Sequence, residues 1–320
     1  MKKFFSLSII CLLFVSAHLF AFERIIVFGD SYSDNGNDFK ISQQKYPNKT
    51  AYFQGRFSDG PVWVEYFAEL EKINPNDSVR FINLAYGQAK ILSPTKIMVK
   101  PNQSYPIPDL GQQISAFISQ YKKINADDLI IIFISANDFF DVTQMDNDNF
   151  VRQMADQMEI QVNKLIALGA KNIIILNGRD VTYSPLATIV AKQQDVKSVK
   201  NYLQDFQKLI QAYNKYLNEK LNNKPEVFIF DIFQFDNRII AKIQQGAFDY
   251  KMNNKNYTFT NATEGCYQNN KGDYEGVAGP ICADASKYFY YDRIHTTRYA
   301  NYILAQKVFE QYHSLARSRE

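Results

Sequence analysis

Five short apolar runs, at residues 24–28, 79–84, 129–134, 172–176 and 227–231, alternate along the chain with segments whose apolar residues recur at helical spacing. The helical segments are 62–72, 110–123, 149–168, 195–221 and 297–315. Runs this short and this uniformly apolar fit strands buried on both faces, and strands that alternate with helices are joined by crossovers that make them parallel. The expected fold class is therefore α/β, with a mostly parallel five-stranded sheet. No repeat, low-complexity tract or linker interrupts the pattern, so residues 22–320 are expected to form one domain.

Residues 1–21 read differently. Lys2 and Lys3 precede an apolar run from Phe4 to Val15, followed by the small residues Ser16, Ala17 and Ala21, the pattern of a secretory signal peptide. That run is shorter than the roughly 20 residues a spanning helix needs. The expectation is a secreted protein, periplasmic or extracellular. Without those two lysines, 36 basic residues fall to 34 against 33 acidic ones, and the formal charge falls from +3 to +1. Such a balance gives nucleic acid no basic footprint to follow. Cys11 leaves with the signal, and Cys266 and Cys282 remain, the arithmetic of one disulfide in an oxidising compartment. The segment between them is polar and Gly-rich, a surface loop (266–282) clipped at its base.

In parallel sheets sites form beyond the carboxyl ends of the strands, so each strand exit is a place to look for chemistry. The first exit is Gly29-Asp30-Ser31; the second carries Asn83 and Gly87; the third carries Asn137 and Asp138. The strand stops at Gly29 for a tight bend, after which small polar residues present Ser31 rather than bury it. Asp30 reads as an acceptor for amides of that bend, and Asp34 to Asn37 as turn structure. Histidine supply narrows the chemistry further. His18 lies in the signal and His313 near the C-terminus, which leaves His295 as the base for a serine nucleophile. Asp292 precedes it by three residues, on the same face of a helical turn.

Taken in order, Phe28-Gly29-Asp30-Ser31, Gly87, Asn137-Asp138 and Asp292-Arg293-Ile294-His295 resemble the blocks of the GDSL (SGNH) lipase/esterase family, over nearly the whole mature chain. The longer strings FGDSYSDNGN and GRFSDGPVWVEYFA are similar to secreted bacterial lysophospholipases A and to glycerophospholipid:cholesterol acyltransferases. The resemblance implies a three-layer, flavodoxin-like fold. It also implies a mechanism in which Ser31 attacks an acyl carbonyl, His295 moves the proton and Asp292 orients the imidazole. The oxyanion would be held by the Ser31 N–H, an N–H of the Gly87 turn and the Asn137 side chain, with no metal and no organic cofactor.

Three departures from the family pattern stand out. Gln88 follows Gly87 where relatives often carry a second glycine, Ser135 replaces a glycine, and Thr296-Thr297 follow His295. Phe139 and Phe140, beside Asn137, are candidates for an acyl pocket. The substrate implied is a lysophospholipid or phospholipid met at a membrane surface, with a sterol as an alternative acyl acceptor. A protease that cuts the 266–282 loop would be an activating partner, because related acyltransferases carry such a loop and gain activity on cutting. A carbohydrate acetyl esterase and a non-catalytic lipid- or glycan-binding module are the alternatives on the same scaffold.

Overall fold

The computed structural model describes residues 22–100, 103–142, 147–194, 196–268 and 279–318. Its centre is a five-stranded sheet of β1 (Arg24–Gly29), β2 (Phe81–Asn83), β3 (Asp128–Phe133), β4 (Asn172–Leu176) and β5 (Val227–Phe230), in the order β2-β1-β3-β4-β5. All four pairings are parallel. Every residue of β3 is buried, so both faces of the sheet are covered. The covering helices are α1 (Trp63–Leu70), α2 (Leu110–Tyr121), α3 (Asp148–Ala167), α4 (Pro185–Gln193), α5 (Val199–Leu221), α6 (Ile232–Gln244) and α7 (Arg298–Ser318). Helix α1 packs on α7 and α3 packs on α5. The chain thus has the expected α/β class and the flavodoxin-like strand order.

Local chemistry sets the boundaries that differ from expectation. The second strand begins two residues late because the Asp77 side chain accepts the Val79 and Arg80 amides and keeps them in a turn, which leaves Val79 72% exposed. The helical run 195–221 begins at Val199, where Ser198 Oγ accepts the Asn201 amide at 3.3 Å. Asp231 ends the fifth strand and caps α6 through the Gln234 amide. Two antiparallel hairpin pairings, Thr95–Lys100 with Gln103–Ile107 and Phe248–Met252 with Lys255–Phe259, decorate the scaffold.

The strand order reverses between β1 and β3, which opens a crevice at their carboxyl ends. The β1 exit is held from several sides. A Cβ on Gly29 would sit 2.7 Å from the Phe133 carbonyl oxygen, so glycine is needed here for close approach to β3. The side-chain amide of Gln113, on α2, then clamps the Gly29 backbone: the Gly29 N–H donates to its Oε1 and its Nε2 donates to the Gly29 carbonyl, both at 2.9 Å. Just beyond, Asp30 Oδ1 accepts the Tyr32 amide at 3.0 Å. Asp34 accepts four amides, those of Gly36, Asn37, Asp38 and Gly87. Asp138 accepts the Ile91 and Leu92 amides and so ties the β2 exit to the β3 exit.

Burial dominates the acidity of these carboxyls and outweighs the amides that favour the anion: it raises Asp30 and Asp34 to about 6 and Asp138 to about 7.

Two predictions follow from this framework. Gln113→Leu orphans a buried Gly29 N–H and should cost about 1–3 kcal/mol in urea unfolding; an unchanged midpoint would show that the clamp is not a significant stabiliser. The three raised carboxyls bind protons in the native state that the unfolded chain has already released above the ordinary carboxylate range. Their stabilising contribution is therefore complete in acid and is lost as pH rises through 6 to 7. The urea midpoint should consequently be lower at about pH 8 than at about pH 6, the reverse of the slope produced by carboxyls held below their usual range.

Candidate active site

Ser31 leaves β1 in a turn in which the Asp30 carbonyl accepts the Ser33 and Asp34 amides. No helix follows Ser31 directly. A five-residue helix, Asn37–Ile41, begins only after Gly36 at φ 118°, and Ser31 sits in the turn itself with an amide that meets no acceptor among the described residues.

The other end of the chain returns to this turn. His295 Nε2 lies 2.8 Å from Ser31 Oγ, and His295 Nδ1 lies 2.7 Å from Asp292 Oδ2. Asp292 Oδ1 accepts the Ile294 and His295 amides at 2.8 and 2.7 Å, which curls the Asp-x-x-His segment into a closed turn. Burial works against a charged Asp292, but the neighbouring His295 charge and hydrogen bonds from His295, Tyr52 and the Ile294 amide outweigh it and hold the carboxyl below its ordinary range. Ser31, His295 and Asp292 are 8%, 8% and 1% exposed, so the chain of hydrogen bonds is shielded while its serine end still reaches a cleft.

That cleft has a volume of about 300 Å³. Around Ser31 and His295 it is lined by Gln88, Lys90, Asn137 and Arg293 among the polar residues and by Phe57, Phe140 and Leu186 among the apolar ones. Asn137 donates one amide hydrogen to the Ala89 carbonyl at 3.0 Å, which fixes its side chain and leaves the second hydrogen. The Gly87 N–H is not available to an oxyanion, because it donates to Asp34 Oδ2 at 3.1 Å. Gln88, at φ 62°, supplies the turn's uncommitted amide among the described residues and lines the cleft. Glycine at 87 answers to space instead: a Cβ there would fall 2.4 Å from Asp38 Oδ2 and 2.6 Å from the Phe57 ring.

Of the two adjacent phenylalanines, Phe140 lines the cleft, whereas Phe139 is fully buried against Phe206 and Tyr213 and belongs to the core. His313 lies away from the cleft, bonded to Glu71 at 2.6 Å.

Several contributors escape sequence reasoning. Tyr52 donates its hydroxyl to Asp292 Oδ2 at 2.6 Å from 240 residues away. The string GRFSDG proves to be a clamp on the segment after His295. The Phe57 ring lies tilted against the imidazole, with centroids 4.9 Å apart, Ser58 Oγ donates to the Thr296 carbonyl at 2.9 Å, and Asp59 Oδ1 accepts the Arg298 amide at 2.7 Å to start α7. Its presence beside the motif blocks was the available signal. Cys266 and Cys282 are joined in a disulfide, and Tyr267, next to it, packs 5.5 Å from the Tyr52 ring. Residues 269–278 of the 266–282 loop, where an activating cut was expected, lie outside the described residues.

Several known proteins are similar to the chain. It is 30% identical over 167 residues to the phosphatidylcholine-sterol acyltransferase of Aeromonas hydrophila, covering 52% of this chain and 48% of that protein. It is 25% identical to the thermolabile hemolysin of Vibrio parahaemolyticus, covering 93% of this chain and 65% of that protein. With the GDSL esterase/lipase ESM1 of Arabidopsis thaliana it shares 24% identity over 89% of this chain and 78% of the plant protein. The chain therefore spans about half the length of the first of these relatives and just under two thirds of the second. Residues 25–308 match one family model along nearly the whole described fold, and the chain belongs to the GDSL-like lipase/acylhydrolase family.

Proposed function

We propose that this carboxylic ester hydrolase cleaves the fatty-acyl ester of a lysophospholipid through an acyl-enzyme on Ser31. The observation that carries the reading is the continuous chain from Ser31 Oγ through His295 to Asp292 at 2.8 and 2.7 Å. A serine hydroxyl is a poor nucleophile until a base within hydrogen-bond reach takes its proton. His295 Nε2 removes it as Oγ bonds to the acyl carbon. Asp292 keeps Nδ1 protonated and balances the imidazolium that forms. The tetrahedral oxyanion is met by the Ser31 amide, the Gln88 amide and the free hydrogen of Asn137. As the bond to the leaving alcohol breaks, His295 returns the proton to that oxygen. Water, activated by the same histidine, then attacks the acyl-serine and regenerates Ser31.

The lysophospholipid substrate is supported by the apolar side of the cleft and by the name of one relative, a phosphatidylcholine-sterol acyltransferase. A sterol hydroxyl that replaced water in the second half-reaction would give acyl transfer by the same proton path. Export, action at a membrane surface and an activating protease at the 266–282 loop belong to this reading.

Ser31→Ala should abolish ester hydrolysis and labelling by a serine-directed phosphonate while leaving the fold intact; labelling that persists at another serine would sink the assignment. Assays on lysophospholipid, diacyl phospholipid and acetylated sugar, side by side, test the substrate class, and a preference for the acetylated sugar would replace it with the acetyl esterase reading. Tyr52→Phe should lower kcat about tenfold with little change in KM, since it removes one charge-assisted hydrogen bond from the carboxylate that steadies the imidazolium. A change confined to KM would instead place Tyr52 among groups that bind substrate.

A further inference from the structure

Two anionic side chains, Asp141 and Asp292, line the cleft together with two cationic ones, Lys90 and Arg293. Three of the four are already committed. Lys90 is paired with Asp141. Asp292 is saturated, with Oδ1 accepting the Ile294 and His295 amides and Oδ2 bonded to His295 and Tyr52. Arg293 differs. It is half-buried, and its side chain makes no hydrogen bond or ion pair among the described residues.

Its backbone is well anchored, because it lies inside the closed Asp292–His295 turn and its carbonyl accepts the Leu186 amide at 2.8 Å. Other half-buried or buried arginines have partners: Arg24 pairs with Asp128, Arg56 with Glu65 and Arg179 with Asp236, and Arg80 donates to the Phe22 and Glu23 carbonyls. The cleft therefore carries one uncompensated guanidinium, two residues from the base and on a backbone that cannot easily move.

We propose that Arg293 is the residue by which this cleft selects its substrate, its guanidinium taking the phosphodiester of a lysophospholipid headgroup while the acyl ester lies at Ser31. The inference rests on the hydrolase reading above and goes beyond it, since that reading does not say what distinguishes a phosphate-bearing ester from a neutral one. A guanidinium presents a planar fork of donors that matches the paired oxygens of a phosphodiester, and a partly desolvated site makes that contact stronger than it is in water. An acetylated sugar or a monoacylglycerol offers no anion, and would leave the Arg293 charge unmatched as it covered the cleft.

The test compares octanoyl lysophosphatidylglycerol with monooctanoylglycerol, which carry the same acyl ester and differ in the anionic phosphoglycerol headgroup, both below their micelle concentrations. For Arg293→Gln the ratio of kcat/KM for the phospholipid to kcat/KM for the glyceride should fall about 10- to 100-fold, mostly through KM, as loss of a charge-assisted contact predicts. Arg293→Lys, which keeps the charge and loses the fork, should fall between the variant and wild type. A measurement that needs no variant is the salt dependence of the wild-type protein. Raising ionic strength should increase KM for the phospholipid and not for the glyceride, because screening weakens only the charged contact. An equal loss on both substrates would assign Arg293 to supporting the Asp292–His295 turn and overturn the proposal, as would an unchanged ratio or a salt response shared by both esters. Failure of the hydrolase reading looks different: the wild-type protein would then cleave neither ester.

Discussion

Where β1, β2 and β3 end, the backbone leaves the ladder while it is still inside the protein, and its amides have to find acceptors there. Carboxylates supply many of them. Asp34 alone takes four amides from two segments, Asp138 takes two from the loop after β2, and Asp292 takes two from its own turn. An aspartate can do this because it accepts through two oxygens and donates nothing when charged. The cost is desolvation, visible in the raised pKa values of Asp34 and Asp138. Asp292 escapes that shift only because a histidine and a tyrosine also face it. One device therefore serves two ends: it lets irregular backbone be buried at the crevice, and in one of its three uses it also holds the His295 ring.

This explains what was legible in the sequence. The sheet was readable because burial on both faces leaves an apolar run that needs no partner to be recognised, and 172–176 matches β4 residue for residue. The motif blocks at Ser31, Asn137, Asp292 and His295 were readable because each is a local string at a strand exit or a turn. What escaped was non-local. Tyr52 is an ordinary aromatic until the fold sets its hydroxyl against a carboxylate 240 residues away. Gly87 stands in the right block, but its own amide is spent on Asp34, which leaves the Gln88 amide as the uncommitted one of that turn among the described residues. The hairpins were missed for a related reason. Their strands are short and partly exposed, and their pairing leaves no apolar run.

The imidazole itself is confined by packing as well as by hydrogen bonds. Phe57 lies against one side of His295 at 4.9 Å and Tyr32 meets it edge-on at 5.6 Å. Neither ring is free. Phe57 belongs to the segment whose Ser58 and Asp59 hold the backbone after His295. Tyr32 donates its hydroxyl to the Ile294 carbonyl at 3.2 Å and has the Arg179 guanidinium 4.3 Å from its ring centroid, with Arg179 in turn paired to Asp236 at 2.6 Å.

A buried ion pair of this kind is weak support for stability, since the two charges give up their hydration to form it. Its position gives it another use. Tyr32 is adjacent to Ser31 in the chain and touches both the His295 ring and the turn that carries it, so a cation fixed behind its face restrains Ser31 and His295 together. Catalysis by a serine and a histidine needs their atoms held near reacting distance before substrate arrives, because the entropy of bringing them together would otherwise be added to the barrier. The 2.8 Å separation of Ser31 Oγ and His295 Nε2 is what such confinement should produce. It also accounts for the placement of Arg179 and Asp236 on β4 exit and α6, elements that contribute no atom to the Ser31–His295–Asp292 chain yet back the residue that links its two ends.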